Sequence, residues 1–514
     1  MFCKVNSVGL QGLEGYSVSV EVDVGDGLPG VTMVGILSSE VKEAQDRVRT
    51  ALKNSGYYFR PRKVTVNLSP ADVRKGGTGF DLPIAVGMLC AHGILDPGTL
   101  DDAVFLGELG LNGELKPIRG ILSLVSRARE EGRKRCFLPR ENGDEGRAIG
   151  GIRIIGVENL RQIAEWIKDP GKDREWQQAM QAMMPEDREE AEWYHMDYSQ
   201  VQGQFLMRRA TEVAAAGYHN LLYIGPAGTG KTMIAERIPT IMPSCTPQEC
   251  LEISKVYSIC GLLPGRGKLL RHRPFRHPHH SVTATALTGG GRNPVPGEMS
   301  LASGGVLFLD EFPEFSKHAI EMLRQPLESR KVILSRVSGR YEFPADFMLV
   351  AAMNPCECGY YPDRNRCRCT AQQVRRYLGK SSKPILDRID ICVEAAPISF
   401  EDLKSTAPQE SSASIRKRVE TARQIQAERF KGSGISFNSE MKEDHISRYC
   451  WLKESDEQFF QRVYQNMNLS ARAYGRILKV SRTIADLEGR EHIDREHLCE
   501  AISYRGLEEK YWNS

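Results

Sequence analysis

The residues His219 to Thr232, HNLLYIGPAGTGKT, set glycines, a lysine and a hydroxyl at a spacing that suits one chemistry, the gripping of a polyphosphate. Gly225, Gly228 and Gly230 free the backbone to turn its N–H groups inward on phosphate oxygens, and Pro226, Ala227 and Thr229 complete the loop. The Lys231 ammonium then reaches the β- and γ-phosphates, and the Thr232 hydroxyl is placed to ligate Mg²⁺. An apolar run, Leu221 to Ile224, precedes the loop, and Met233 to Ile241 can continue as a helix, so the context is strand, loop, helix. Such a loop needs a second, acidic strand. Val306 to Leu309 is apolar and delivers Asp310, able to hold Mg²⁺ through water, and Glu311, a general base for an attacking water. ATP and Mg²⁺ are the expected cofactors.

Cys356, Cys358, Cys367 and Cys369 form a second constellation. Four thiolates suit tetrahedral Zn²⁺, and the intervening YYPDRNR is polar and turn-rich, with no core of its own. Unmetallated thiols and a redox-labile pair are the alternatives. His277, His279 and His280, on a proline-rich loop, read as polar contacts and are assigned no metal. Two stretches are locally basic: Lys331 to Phe343, a hairpin turning at Ser338-Gly339 with Lys331, Arg336 and Arg340, and Arg271 to Arg292, with Arg271, Arg273, Arg276 and Arg292. Both are candidates for a phosphate backbone.

These residues need scaffolds, and 514 residues with 41% hydrophobic content suffice for about three domains. The balance of 69 basic to 66 acidic residues gives a formal +3, too small for a general nucleic-acid coat, so any DNA contact must be local. Neither an apolar run of about eighteen residues nor an apolar leader is present, so a cytoplasmic chain without membrane contact is expected. Thirteen cysteines then read as reduced thiols.

Residues 1–169 alternate strand and helix signals. Val18, Val20, Val22 and Val24 share one strand face, and Ser38 or Ser39 caps a helix with Val41, Ala44, Val48, Ala51 and Leu52 on one stripe, stopped at Gly56. Asn112-Gly113 is a hairpin turn, and strands at Lys63 to Leu68, Cys136 to Leu138 and Ile152 to Val157 with helices at Ile121 to Glu131 and Leu160 to Ile167 complete an α/β domain. Residues 170–200 are a charged linker with room for one exposed helix. Residues 201–397 hold the phosphate loop, with helices from Phe205 to Ala216 and, capped at Thr246, to about Tyr257. Residues 398–514 read as helices, including Ile415 to Phe430, one capped by Ser470, and Arg495 to Tyr504.

Val73 to Leu89 and Gly113 to Val125 resemble the Lon-protease-like α+β domain. Gly79 or its neighbours stand where that family has its serine and Leu122 near its lysine, so the domain is read as non-proteolytic, an assembly or DNA-contacting module. The motifs RPFRHPHHS (Arg273 to Ser281), LTGGG, PGEMSLASGGVLFLDE, AAMNPCECG, LDRIDI and LSARAYGRILKVSRTIADL (Leu469 to Leu487), in this order, resemble the magnesium-chelatase-like AAA+ ATPases, and within these the YifB/ComM group. The resemblance implies an AAA+ α/β core with a helix-2 insert and an all-α lid that closes over the nucleotide. It also implies a homo-hexameric ring and branch migration of single-stranded or branched DNA, in recombination and competence. Asn354 would be sensor 1, Arg388 an arginine finger acting on a neighbouring subunit, and Arg472 sensor 2. The hairpin from Lys331 would face the pore, where six copies make a positive collar. The alternative is a chelatase-like ATPase that remodels a protein or metal-insertion complex.

Overall fold

Period-two valines build the first sheet. The computed structural model describes residues 1–169, 196–264, 268–291, 293–336, 339–397, 409–467 and 469–512. A seven-stranded sheet runs in the order Gly30–Val34, Lys63–Ser69, Glu14–Gly25, Phe2–Gln11, Ala103–Phe105, Arg135–Pro139, Arg153–Val157. Val18, Val20, Val22 and Val24 are all buried, as one face of a half-buried strand requires. Ser38 caps the helix Ser39–Asn54 and its five stripe residues are buried. The helix Asp81–Ala91, not read from the sequence, is buried along its whole length, so it shows no amphipathic stripe. It lies so close to the sheet that a Cβ at Gly87 would stand 2.6 Å from Val22 Cγ2.

The second sheet is all parallel: Phe275–Arg276, Val306–Leu309, Met348–Met353, Leu221–Ile224, Ile391–Glu394. Alternate residues feed two cores, Leu221 and Tyr223 on one face and Leu222 and Ile224 on the other, which is why its strands read as continuous apolar runs. On the first face lie the helices Phe205–Gly217, Lys231–Ile241, Ser412–Arg429 and Ala471–Leu487. The described part of residues 398–514 is helical, and it also contains Glu443–Tyr449, Glu454–Asn466 and Gly506–Trp512, which the sequence reading did not name. This helical region joins the core on the first sheet face: the apolar stripe of Ser412–Arg429 is buried against the helices Phe205–Gly217, Lys231–Ile241 and Ala471–Leu487.

The two sheets meet through the helices Ile121–Glu130 and Pro247–Cys260. The Gly120 amide donates to Ser258 O at 3.3 Å, and Leu251 and Leu269 pack against the N-terminal core. Of the linker expected over 170–200, residues 170–195 lie outside the described residues, and Tyr198–Gln200 forms a single 3-10 turn capped by Asp197. Among the described residues no helix is long and apolar enough to cross a membrane. All thirteen cysteines are free thiols.

Candidate functional site

Parallel strands point all their carboxyl ends one way, and the chemistry-bearing side chains collect there. After Ile224 the loop turns through Gly228 (φ +77°) and Gly230 (φ +82°), and Lys231 opens the helix. A Cβ at Gly225 would meet Ala395 O at 2.5 Å, so only glycine fits. Lys231 Nζ donates to Gly225 O at 2.7 Å and Pro226 O at 2.8 Å and lies 3.4 Å from Asn354 Oδ1. Burial lowers its pKa, so a polyphosphate there would meet a poorly hydrated ammonium. The Thr232 hydroxyl donates to Asp310 Oδ2 at 2.7 Å, a pair of oxygens suited in type to Mg²⁺.

Glu311 takes the left-handed region (φ +51°), which a non-glycine residue rarely adopts, and its carboxylate is 59% exposed. His280 Nδ1 lies 3.0 Å from Glu311 Oε2. This partner was missed in the sequence, where 31 positions separate the two. Gln204 was missed too. Its amide donates to Thr229 O at 3.0 Å and Ala396 O at 2.6 Å, tying the phosphate loop to the end of the last strand.

The four clustered cysteines follow Asn354 directly. Their sulfurs all lie within 4.8 Å of one another, with Cys356 to Cys358 at 3.3 Å, Cys358 to Cys367 at 3.5 Å and Cys356 to Cys367 at 3.8 Å. Four sulfurs at about 2.3 Å from a tetrahedral zinc would be about 3.8 Å apart, so the donor set fits that ion. Burial raises the Cys358 thiol, but the Tyr360 amide and Cys356 outweigh it and bring it down to about 6. Cys369 is pushed up to about 12.

Arg388 and Arg472 sit at the other end of the sheet. They line one cleft of about 230 Å³ with Arg330, Arg476, Lys479 and Glu328, beside Asn220 and Asp390, which precede strands Leu221–Ile224 and Ile391–Glu394. Arg388 bonds Glu328 and Pro384 O, while its Nε is buried without a partner. Among the described residues Arg472 is exposed and makes no hydrogen bond or ion pair. Burial pushes Asp390 up, but His219, Arg476 and Lys479 outweigh it and hold the carboxyl below its ordinary range.

The two basic stretches part company. Strands Lys331–Arg336 and Gly339–Pro344 pair as an antiparallel hairpin; the Ser338 end of the expected turn lies outside the described residues. Lys331 and Arg340 are exposed and share Glu342, at 3.4 and 2.8 Å, and Arg336 is exposed. In the other stretch two of the four candidate arginines are engaged within the chain, and Arg271 is exposed. Arg273 is buried on Pro243 O, Gly304 O and Glu249, and Arg276 is bidentate to Glu298 at 2.7 and 2.8 Å, so neither guanidinium is left for a phosphate. Arg292 lies outside the described residues. In the N-terminal domain Leu122 is buried in the core, and the Thr78 hydroxyl beside Gly79 pairs with Glu108, a partner that holds it as a donor and gives no lysine base.

Comparisons with known proteins cover nearly all of this. Residues 197–403 match the family model described as magnesium chelatase, subunit ChlI; residues 20–142 match subunit ChlI of Mg-chelatase; and residues 409–505 match its C-terminal model. The chain is 41% identical to YifB of Escherichia coli over 499 residues, covering 97% of this chain and 96% of that one. With the competence protein ComM of Haemophilus influenzae the identity is 39% over 512 residues, covering 98% and 97%. Over 133 residues it is 29% identical to Lon protease 2 of Bacillus subtilis, covering 25% of this chain and 23% of the protease.

Proposed function

The chain belongs to the magnesium chelatase ChlI family, as a YifB/ComM-type AAA+ protein with a Lon-like N-terminal domain, and from that premise we propose a hexameric, ATP-driven motor that migrates branched or single-stranded DNA in recombination and competence. ATP and Mg²⁺ use goes with the family; bound together, they supply the phosphoryl group whose transfer to water drives motion. In this reading the backbone from Gly225 to Gly230 and the Lys231 ammonium hold the phosphates, and Thr232 and Asp310 hold the metal. Glu311 takes the proton of the attacking water, which requires its carboxylate to leave His280. Asn354 orients that water from beside Lys231. Arg388 and Arg472 act on the γ-phosphate bound by the neighbouring copy, because they line the sheet end opposite to the phosphate loop. Zinc belongs to the same reading as a structural ion on Cys356, Cys358, Cys367 and Cys369. We place the protein in the cytoplasm, where its thirteen thiols stay reduced. As domains, the reading keeps 1–169, 170–200, 201–397 and 398–514.

The observation that carries the DNA assignment is the exposed hairpin, where Lys331 and Arg340 share the Glu342 carboxylate and Arg336 stands exposed near the turn. Six such hairpins around a pore would grip a phosphate backbone without reading sequence. ATPase rate with and without single-stranded and forked DNA tests the motor. Arg336→Ala with Arg340→Ala tests the grip: DNA binding should weaken and lose part of its salt dependence, and branch migration should slow, with basal ATPase kept. Unchanged binding and migration in the double variant would move the DNA contact to the N-terminal domain.

A further inference from the structure

Only Pro355 separates Asn354 from the first sulfur of the cysteine cluster. The loop that follows is tied mostly to itself, by hydrogen bonds among residues 356–369 and by Arg364 and Arg366 stacked over Tyr361 and Tyr360. Asp363 N donates to Tyr360 O, Cys367 N to Asp363 O and Tyr361 N to Cys356 Sγ, all within the loop. Thiols at 3.3 to 3.8 Å attract one another only weakly, so these contacts do not explain why four of them converge. A single ion would hold the four sulfurs together and clamp the polar stretch between Cys358 and Cys367 to the core that Cys356 and Cys367 enter.

What the knuckle touches gives it a task. Cys356 and Cys367 are buried in the same core as Met353, the residue before Asn354, and Gly225 N donates to Met353 O at 3.1 Å. A Cβ at Gly359 would lie 4.0 Å from the Ala227 amide nitrogen, so the knuckle backs onto the phosphate loop. Directly after Cys369, Thr370 caps the helix Ala371–Leu378 with a full capping box, and the chain then runs through Lys383–Leu386 to Arg388. The four sulfurs therefore sit on the one segment that joins Asn354 at one end of the sheet to Arg388 at the other.

We infer that zinc on Cys356, Cys358, Cys367 and Cys369 braces the nucleotide site, fixing Asn354 against Lys231 and supporting the phosphate loop at Ala227. The inference rests on reading that loop as an ATP site and on reading the cysteines as zinc ligands. Neither reading by itself requires the ion to matter for nucleotide binding.

Elemental analysis of protein purified without chelator is expected to give about one zinc per chain. Stripping that zinc, or Cys358→Ser with Cys367→Ser, is expected to weaken Mg-ADP binding about tenfold or more by calorimetry, with far-ultraviolet dichroism unchanged. Returning zinc to the stripped wild-type protein should restore the affinity. Cys358→His, which keeps a ligand, should keep both metal and affinity, and Cys499→Ser, at an exposed thiol outside the cluster, should change neither. Protein without zinc overturns the metal site. Zinc present, with Mg-ADP affinity unchanged after its removal, overturns the brace and leaves the metal site standing. Loss of secondary structure throughout the chain on stripping also overturns a local brace. Zinc-loaded protein that binds no Mg-ADP overturns the ATP site itself.

Discussion

At the carboxyl end of the parallel sheet, opposite charges and donors are already matched inside one chain. Lys231 is held on two loop carbonyls, Thr232 on Asp310, and Glu311 beside His280. At the amino end, Arg330, Arg388, Arg472, Arg476 and Lys479 line one cleft; Arg330 pairs with Asp346 and Glu440, Arg388 with Glu328 and Arg476 with Asp390, while Arg472 has no partner among the described residues. Both ends are made by the same strands, so the contrast comes from what each end offers. Strand carboxyl ends open into a glycine loop with free N–H groups, whereas the amino ends present long cationic side chains. On the proposed reading one end grips an anion, and the other, with five cations against three carboxylates in its cleft, brings positive charge to it. Within one chain the sheet keeps them apart, and on the proposed reading a second copy brings them together.

The contrast breaks most visibly if either end works alone. Lys231→Ala should abolish nucleotide binding, while Glu311→Gln should bind ATP and turn it over slower by about a thousandfold or more, because the first removes phosphate charge and the second only the base. Calorimetry and phosphate release separate the two. Equal turnover by Glu311→Gln and wild type would remove Glu311 from the chemistry.

Arg388→Ala should lower turnover about a thousandfold without loss of nucleotide binding, as for an arginine supplied in trans. Mixed with inactive Lys231→Ala protein it should regain activity, since mixed rings contain intact composite sites. No regain in rings shown to be mixed would make the two ends independent. Arg472→Ala, losing one charge-assisted hydrogen bond, should cost about 10- to 100-fold in the same assay.

The smallest effect concerns stability at the amino end. Because Asp390 is held below the ordinary carboxyl range, it stabilises the fold at pH values above the unfolded pKa, and that contribution is lost as pH falls through the folded value. Asp390→Asn should therefore destabilise by about 1–3 kcal/mol near neutral pH. The gap should narrow only below about pH 4. Denaturant titrations at both pH values check it; a gap of constant size would mean that the charge of Asp390 is immaterial.

Local chemistry in the sequence determined much of this protein. The glycine spacing before Lys231, the apolar run ending in Asp310, the caps at Ser38 and Thr246 and the period-two valines each act over a few residues, so the backbone realises them almost independently of context. The four cysteines were legible for the same reason, their spacing being short enough for one loop to gather. Contacts between distant segments were decided by packing alone. Arg273 and Arg276 read as part of a basic stretch open to a phosphate backbone, and it is the fold that sets Glu249 and Glu298 against them. Helix Asp81–Ala91 hid its periodicity because it is enclosed on every side. Arg472, 84 positions after Arg388, shares its cleft because the helix Ala471–Leu487 buries its apolar face against the helices Phe205–Gly217 and Ser412–Arg429, and that docking brings the helix start to the strands' amino ends. A pattern of residue types sets which groups can react, but which of them meet depends on where buried faces find cover.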